Sequence, residues 1–370
     1  MMNLIQSRYI RRVNREDLLK GAFQGALFDK VLGDKYSSAM RGIAEQLDKF
    51  SFFMTPQEYQ EYQDSNGGVY ADYGLALDRK KINEKVEVLE IYPGGSADNA
   101  GIRSGDHILE LEGRDVLALS QDEVEAAFPS GHVGLILHLK LERPDGTIYA
   151  AQVPLKRIKF NNVYWGKIAP SVGYVQLAAF DSRLADNLKA ALAQLRSAGM
   201  RQLVIDLRGN PGGFSNVVVS AASLFLRRGT TVTQFFNTED NRKYVVPSED
   251  GSFDSLPIVV IVDQNSASAS EIFAAAMQDN RRAYIVGETT YGKGVGQDTF
   301  EFKDGSALHL TTAKWFTPNG RNIHGIGIKP DIQAQLPEAE KKTTFRRLYR
   351  QMAGLKTDGQ IDSVIKAALH

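Results

Sequence analysis

The sequence predicts a multidomain α+β chain: a helical N-terminal segment, a small β domain, an α/β core and a helical C-terminal tail. One ground is length, since 370 residues with 43% hydrophobic content exceed one ordinary domain and supply apolar side chains for two or three cores. The other is a change of hydrophobic period along the chain. Helical spacing gives way to short alternating strands, and these to fully apolar strands separated by helices.

Residues 1–66 carry the helical period, with Leu18, Leu19, Ala22, Phe23, Ala26 and Leu27, then Met40, Ile43, Leu47 and Phe50. "TPQEYQEYQ" adds a helix start, with Thr55 as N-cap, Pro56 in the first helical position and Glu58 three residues past the cap. These helices are too few for a core of their own, so they must pack on another domain or a second subunit. Residues 67–158 alternate as short strands, "YGLAL", "KVEVLEIY", "HILELEG", "VGLILHLKLER" and "TIYAAQVPLKRI", broken by "PGGS", "SGD" and "PDG" turns and by one helix, "QDEVEAAF". In residues 159–336 the strands "VGYVQLAAF", "RQLVIDLRG", "LPIVVIVDQ" and "AYIVGE" alternate with helices expected over 183–198, 215–226 and 268–278. A run such as "IVVIV" implies a sheet covered on both faces. Residues 337–370 read as two short amphipathic helices around "KTDG".

Composition removes several classes of function. Lys+Arg and Asp+Glu are both 44, so the chain lacks the basic surplus of a nucleic-acid binder. With Cys 0, disulfides, thiolate catalysis and cysteine zinc sites are excluded. "MMNLIQSRYIRRV" has no signal-peptide apolar stretch, and no segment reaches the roughly 18 apolar residues of a membrane span.

Ligands of α/β sheets gather where strands end and helices begin, and two loops sit at such points, "DLRGNPGGF" and "DQNSASAS". "NPGG" offers unobstructed amides at Gly212 and Gly213 for an oxyanion, or simply turns the chain. Ser266, Ser268 and Ser270 stand on alternate positions where a strand becomes a helix; each is a nucleophile candidate or a helix cap. A serine nucleophile needs a base. None of the six histidines, His107, His132, His138, His309, His324 and His370, falls in a loop that the topology carries to the serines. Lys293 does: it follows "AYIVGE", the strand that returns after the serine helix, and a βαβ return brings its loop beside the helix start. Gly287, Gly292 and Lys293 also have P-loop spacing, but Gly294 replaces the magnesium-binding Ser/Thr and a strand follows where a helix is required.

"DLRGNPGG", "NSASASEIFAAAMQDNRRAYIVGETTYGKGVGQ" and "WFTPNGRNIHGIGIKPDI" resemble, in order and spacing, the carboxyl-terminal processing peptidases, tail-specific serine peptidases with an embedded PDZ domain. The resemblance covers nearly the whole chain. It implies a PDZ domain over 67–158, a crotonase-like α/β peptidase core over 159–336 and a Ser–Lys dyad with no metal or organic cofactor. The nucleophile falls on Ser268, the general base on Lys293 and its orienting glutamine on Gln297. The oxyanion donors fall on the amides of Gly212, with Gly213 as the neighbouring alternative, and Ala269. "YGLAL" stands where the carboxylate-binding loop belongs, so Gly74, Leu75 and Ala76 would receive a substrate's C-terminus as it adds to the sheet edge.

The implied partners are proteins or peptides with free C-terminal tails, neither nucleic acid nor membrane span is expected, and the terminal helices are candidate homo-oligomer contacts. The implied location is a periplasm, cell envelope or organelle lumen. Two departures stand out: Ser130-Gly131 where the family commonly has Arg-Gly, and "LDKFSFF" where it has an "LDPHS" type. The function expected is a serine endopeptidase, the alternatives a non-catalytic PDZ scaffold or a crotonase-like acyl-thioester enzyme.

Overall fold

The computed structural model describes residues 1–28, 35–78, 85–120, 123–124, 127–128, 133–237, 242–354 and 361–369. The chain divides into two compact units, residues 1–63 with 207–333 and residues 64–206 with 334–370.

In the first unit, the N-terminal helices Met2–Arg8, Arg15–Phe28 and Lys35–Ala44 do not form a core of their own. Ile5, Tyr9, Leu18 and Ile43 share one apolar cluster with Leu308 and Leu310, against which Phe300 and Phe302 also pack. Glycines let two of the helices meet backbone to backbone, since a Cβ on Gly42 would stand 2.1 Å from the Gly21 carbonyl oxygen. The helix start expected at Thr55 forms as a reciprocal cap: the Thr55 amide donates to Glu58 Oε2 at 2.8 Å and the Glu58 amide to Thr55 Oγ1 at 3.3 Å.

Between these helices and that cap, the short strand Phe52–Met54 joins the edge of an antiparallel sheet, Phe52 opposite His309 on the long strand Ala307–Phe316. The same long strand pairs antiparallel with Val295–Glu301 and with Thr231–Asn237, which pairs in turn with Arg242–Pro247. Beside it lies the α/β part: the parallel strands Ile258–Val262, Tyr284–Gly287 and Ile332–Gln333, with the helices Ser215–Ser223 and Ala269–Asp279. The run "IVVIV" is almost wholly buried, as its lack of alternation requires.

The second unit holds the small β domain, an antiparallel sheet in the order Leu75–Asp78, Val86–Ile91, His107–Leu111, Ile136–Glu142, Ile148–Pro154. Alternate residues of these strands face one core built from Leu77, Val88, Ile108, Leu111, Leu137, Leu141 and Val153. Leu75–Asp78 lies at its edge. Parts of the expected helix "QDEVEAAF" and the Ser130-Gly131 pair lie outside the described residues. The same unit contains the strands Val163–Ala169, Val172–Leu177 and Gln202–Asp206 and the helix Leu184–Ser197, which buries Leu184, Leu188, Ala191, Leu192 and Leu195. Its last helices are Glu338–Met352 and Ser363–Ala368. Arg346 and Arg350 of the former both reach the buried carboxylate of Glu90 on the β domain, each at 3.2 Å. "KTDG" lies outside the described residues.

Candidate active site

The three serines of "SASAS" differ in what holds them. Ser266 is fully buried, and its hydroxyl donates to the Leu207 carbonyl at 2.8 Å while accepting from the Asp263 amide at 3.0 Å. Ser270 is fully buried as well, donating to the Asn210 carbonyl at 3.0 Å. Both brace the loop. Ser268 is only half-buried, caps the helix Ala269–Asp279 and sits at φ 55°, ψ −111°. An L-residue at positive φ stores backbone strain, a common device for lifting a nucleophile out of a strand-to-helix turn.

Glu271 makes that position rigid. This fully buried carboxylate accepts from the Ser268 amide and the Lys293 amide through Oε2, both at 2.8 Å. Its Oε1 accepts from Thr290 Oγ1 at 2.6 Å and from the Gly292 amide at 2.7 Å. One side chain therefore pins the loop of the serine to the loop of the lysine. The sequence reading missed it, although Ser-x-x-Glu at 268–271 is a capping-box spacing. The amides of Gly292 and Lys293 that a P-loop would turn towards phosphate are taken up by Glu271, which gives the P-loop spacing a structural explanation.

Lys293 is placed among groups from three segments. Its Nζ lies 4.8 Å from the centre of the Phe50 ring, and its carbonyl accepts from the Trp315 indole at 2.8 Å. Gly292 and Gly294 allow close packing, as a Cβ on Gly294 would stand 2.8 Å from the His324 amide nitrogen. Burial pushes the amine below its ordinary value, while the charges of Asp48 and Glu271 oppose that fall. Gln297 follows a bulge in its strand and lies opposite Thr311, donating from Nε2 to Thr311 Oγ1 at 3.2 Å.

Gly212 adjoins the serine: a Cβ there would stand 2.8 Å from Ser268 Cβ and 3.0 Å from the Ala269 nitrogen. Its own amide donates to Asn210 Oδ1 at 2.9 Å. At φ 107° and in that space, Gly212→Ala is expected to push the Ser268 loop aside. The expected result is a loss of kcat on the order of 10²-fold, measured on an unfolded peptide substrate. In the β domain, the Gly74 amide likewise donates to the Asp72 carboxylate, at 2.6 Å, while Leu75 and Ala76 open the edge strand.

His309, which the sequence reading set aside, lies on the long strand beside this site. Its Nδ1 is 2.8 Å from Thr299 Oγ1, and burial, aided by the Lys293 charge, depresses its pKa to about 4. A histidine whose folded value lies below its unfolded value near 6.5 contributes stability above 6.5 that is lost as pH falls towards 4. Melting temperatures between pH 6.5 and 4 should therefore fall less steeply in His309→Gln than in the wild type.

Comparison with known proteins finds two matched regions. Residues 171–334 match the family model "Peptidase family S41" and residues 68–141 match that of the PDZ domain. A probable CtpA-like serine protease of Staphylococcus aureus is 32% identical over 319 residues, 84% of this chain and 62% of that protein. The chain carries a PDZ domain followed by a domain of peptidase family S41. A second CtpA-like relative, from Staphylococcus epidermidis, is 31% identical over 342 residues, covering 91% of this chain and 66% of its own length. The chain thus spans just under two thirds of these relatives. Among solved structures, the photosystem II D1 C-terminal processing protease is similar at 26% identity with a TM-score of 0.57, over 91% of this chain and 92% of that one. Mature CPAF complexed with lactacystin shares the fold, at 15% identity and a TM-score of 0.57, over 94% of each chain. Among the described residues, no helix is long and apolar enough to cross a membrane.

Proposed function

We propose that this chain is a serine endopeptidase working through Ser268 and Lys293, and that its PDZ domain recognises the free C-terminal tail of unfolded protein substrates. The observation that carries the reading is the shared Glu271 carboxylate, which holds the strained Ser268 and the half-buried Lys293 on one anchor. Lys293, its pKa lowered by burial, takes the Ser268 hydroxyl proton in its neutral form as Oγ attacks the scissile carbonyl. The negative charge formed on the carbonyl oxygen is held by the Ala269 amide at the start of a helix and by a second amide from the Gly212-Gly213 turn. Since the Gly212 proton is spent on Asn210, Gly213 is the second donor. Lys293 then returns the proton to the leaving amine, and a water deprotonated by Lys293 releases the acyl group from Ser268.

Gln297 orients the amine. In the PDZ domain the Leu75 and Ala76 amides take the substrate carboxylate, since the Gly74 amide serves Asp72. The α/β part is read as crotonase-like in layout, and a periplasmic, envelope or lumenal location follows from the family. The test is cleavage of an unfolded reporter with an apolar C-terminus by wild type and Ser268→Ala, with a second reporter whose C-terminus is amidated. Loss with Ser268→Ala and a rise in KM on amidation are expected. Equal cleavage by Ser268→Ala would remove the serine from the mechanism, and equal KM values would remove the PDZ reading. Hydrolysis of an acyl thioester in preference to the peptide would favour the crotonase-like alternative.

A further inference from the structure

The stretch "LDKFSFF", where the chain departs from its family, enters the site just described. Asp48 Oδ1 accepts three hydrogen bonds, from the Phe50 amide at 3.0 Å, Ser51 Oγ at 3.0 Å and Thr311 Oγ1 at 3.1 Å. Ser51 in turn accepts from the Thr311 amide at 3.0 Å, so the loop is fastened to the long strand at the residue that faces Gln297. Ser51 and Thr311 are both buried. The Phe50 ring from the same loop covers the Lys293 amine at 4.8 Å.

The direction of each bond follows from the chemistry of the groups. A carboxylate only accepts, so the single Thr311 hydroxyl proton points to Asp48. Thr311 Oγ1 is then an acceptor for Gln297, which must turn its NH2 towards it. The Gln297 carbonyl oxygen is left to accept from elsewhere, the polarity that a lysine N–H needs. We infer that Asp48 is a positioning residue of the active site: through Thr311 it fixes which end of the Gln297 amide is offered to Lys293. Without it, the Thr311 hydroxyl, whose remaining side-chain neighbours are Gln297 and Ser51 Oγ at 3.3 Å, can donate to the Gln297 oxygen, and the amide turns its NH2 towards the lysine. The inference rests on the proposed roles of Lys293 as the base and of Gln297 as its orienting partner.

Kinetics on the unfolded reporter test it. Asp48→Ala and Thr311→Val each lower kcat on the order of 10²-fold with little change in KM. Thr311→Ser and Asp48→Asn restore most of that loss, because each keeps the acceptor or the relay. Asp48→Asn has a second signature, since Asp48 is one of two carboxylates acting on Lys293. The other is Glu271; the remaining titratable groups nearby are Lys49, 5.1 Å from the Phe50 ring centre, and the imidazoles of His309 and His324, both lowered by burial, the latter 6.2 Å from that ring. Removing the charge of Asp48 moves the acid limb of kcat/KM down by about half a pH unit or more.

Unchanged kcat in Thr311→Val, or an unmoved limb in Asp48→Asn, overturns the inference. So does a kcat loss that Thr311→Ser fails to restore while melting temperatures fall in parallel, the pattern of a purely structural contact. Lys293→Ala is measured alongside. If it is inactive, any such failure belongs to Asp48 alone; if it is active, the base assignment falls and this inference with it.

Discussion

Lys293→Ala is expected to lose peptide hydrolysis by about 10⁴-fold or more while remaining folded, because Lys293 is the group that takes the Ser268 proton in the reading argued above. In the wild type, kcat/KM should rise with pH through the depressed pKa of the lysine, since only the neutral amine accepts a proton. Stability moves with the same group. Burial lowers the folded pKa beneath the unfolded value of roughly 10.4, so the unfolded chain binds more protons between the two. The destabilisation is therefore full below the folded value and fades as pH climbs towards the unfolded one. Lys293→Met, which keeps the stem and removes the charge, should abolish turnover and raise the melting temperature at pH 7. A melting temperature that falls at pH 7 would show that the amine is not held against its solvation.

The other large effect is expected at Glu271. Four donors converge on its fully buried carboxylate, the amides of Ser268, Gly292 and Lys293 and the Thr290 hydroxyl. Glu271→Ala leaves these unsatisfied in the interior and should cost about 3 kcal/mol or more, read from urea denaturation. Glu271→Gln keeps the shape, but its NH2 must face at least one backbone N–H, so it too should lose most of kcat. The gap between the two variants separates the geometric contribution from the stabilising one. Near-native stability in Glu271→Ala would mean that water replaces the carboxylate, and that the serine and lysine loops do not depend on it for their relative placement.

Glu271 also shows why part of the site was invisible in the sequence. Its spacing from Ser268 marks a helix cap and nothing more. Its bonds to Thr290, Gly292 and Lys293 exist because the strand Tyr284–Gly287 runs parallel to Ile258–Val262 and delivers its following loop to the same helix end. The topology was legible from the alternation of apolar strands and helices, and so Lys293 was found. The carboxylate between the loops was not, since a glutamate in the first turn of a helix has an ordinary explanation. Gly212 differs in kind: "NPGG" identifies the turn, but the Asn210 side chain taking up the Gly212 proton depends on a rotamer that spacing cannot specify.

The N-terminal segment marks the same boundary. Helical period and the Thr55 cap were readable because both arise from contacts three or four residues apart. That these helices must find a partner was readable as well, from the shortage of apolar residues for a core. The identity of the partner was settled in three dimensions, where Leu308 and Leu310 complete the cluster and Phe52–Met54 adds to the strand of His309. This pairing brings Asp48 within hydrogen-bond reach of Thr311, 263 residues later in the chain. By itself the sequence determined most of the elements, through local periodicity and caps, and offered Ser268 and Lys293 as a candidate pair, the serine through its resemblance to known peptidases and the lysine also through the βαβ return. The tertiary structure alone decided what surrounds that pair, because the burial and hydrogen bonding of Lys293, Gln297 and Gly212 come from segments that only the fold brings together.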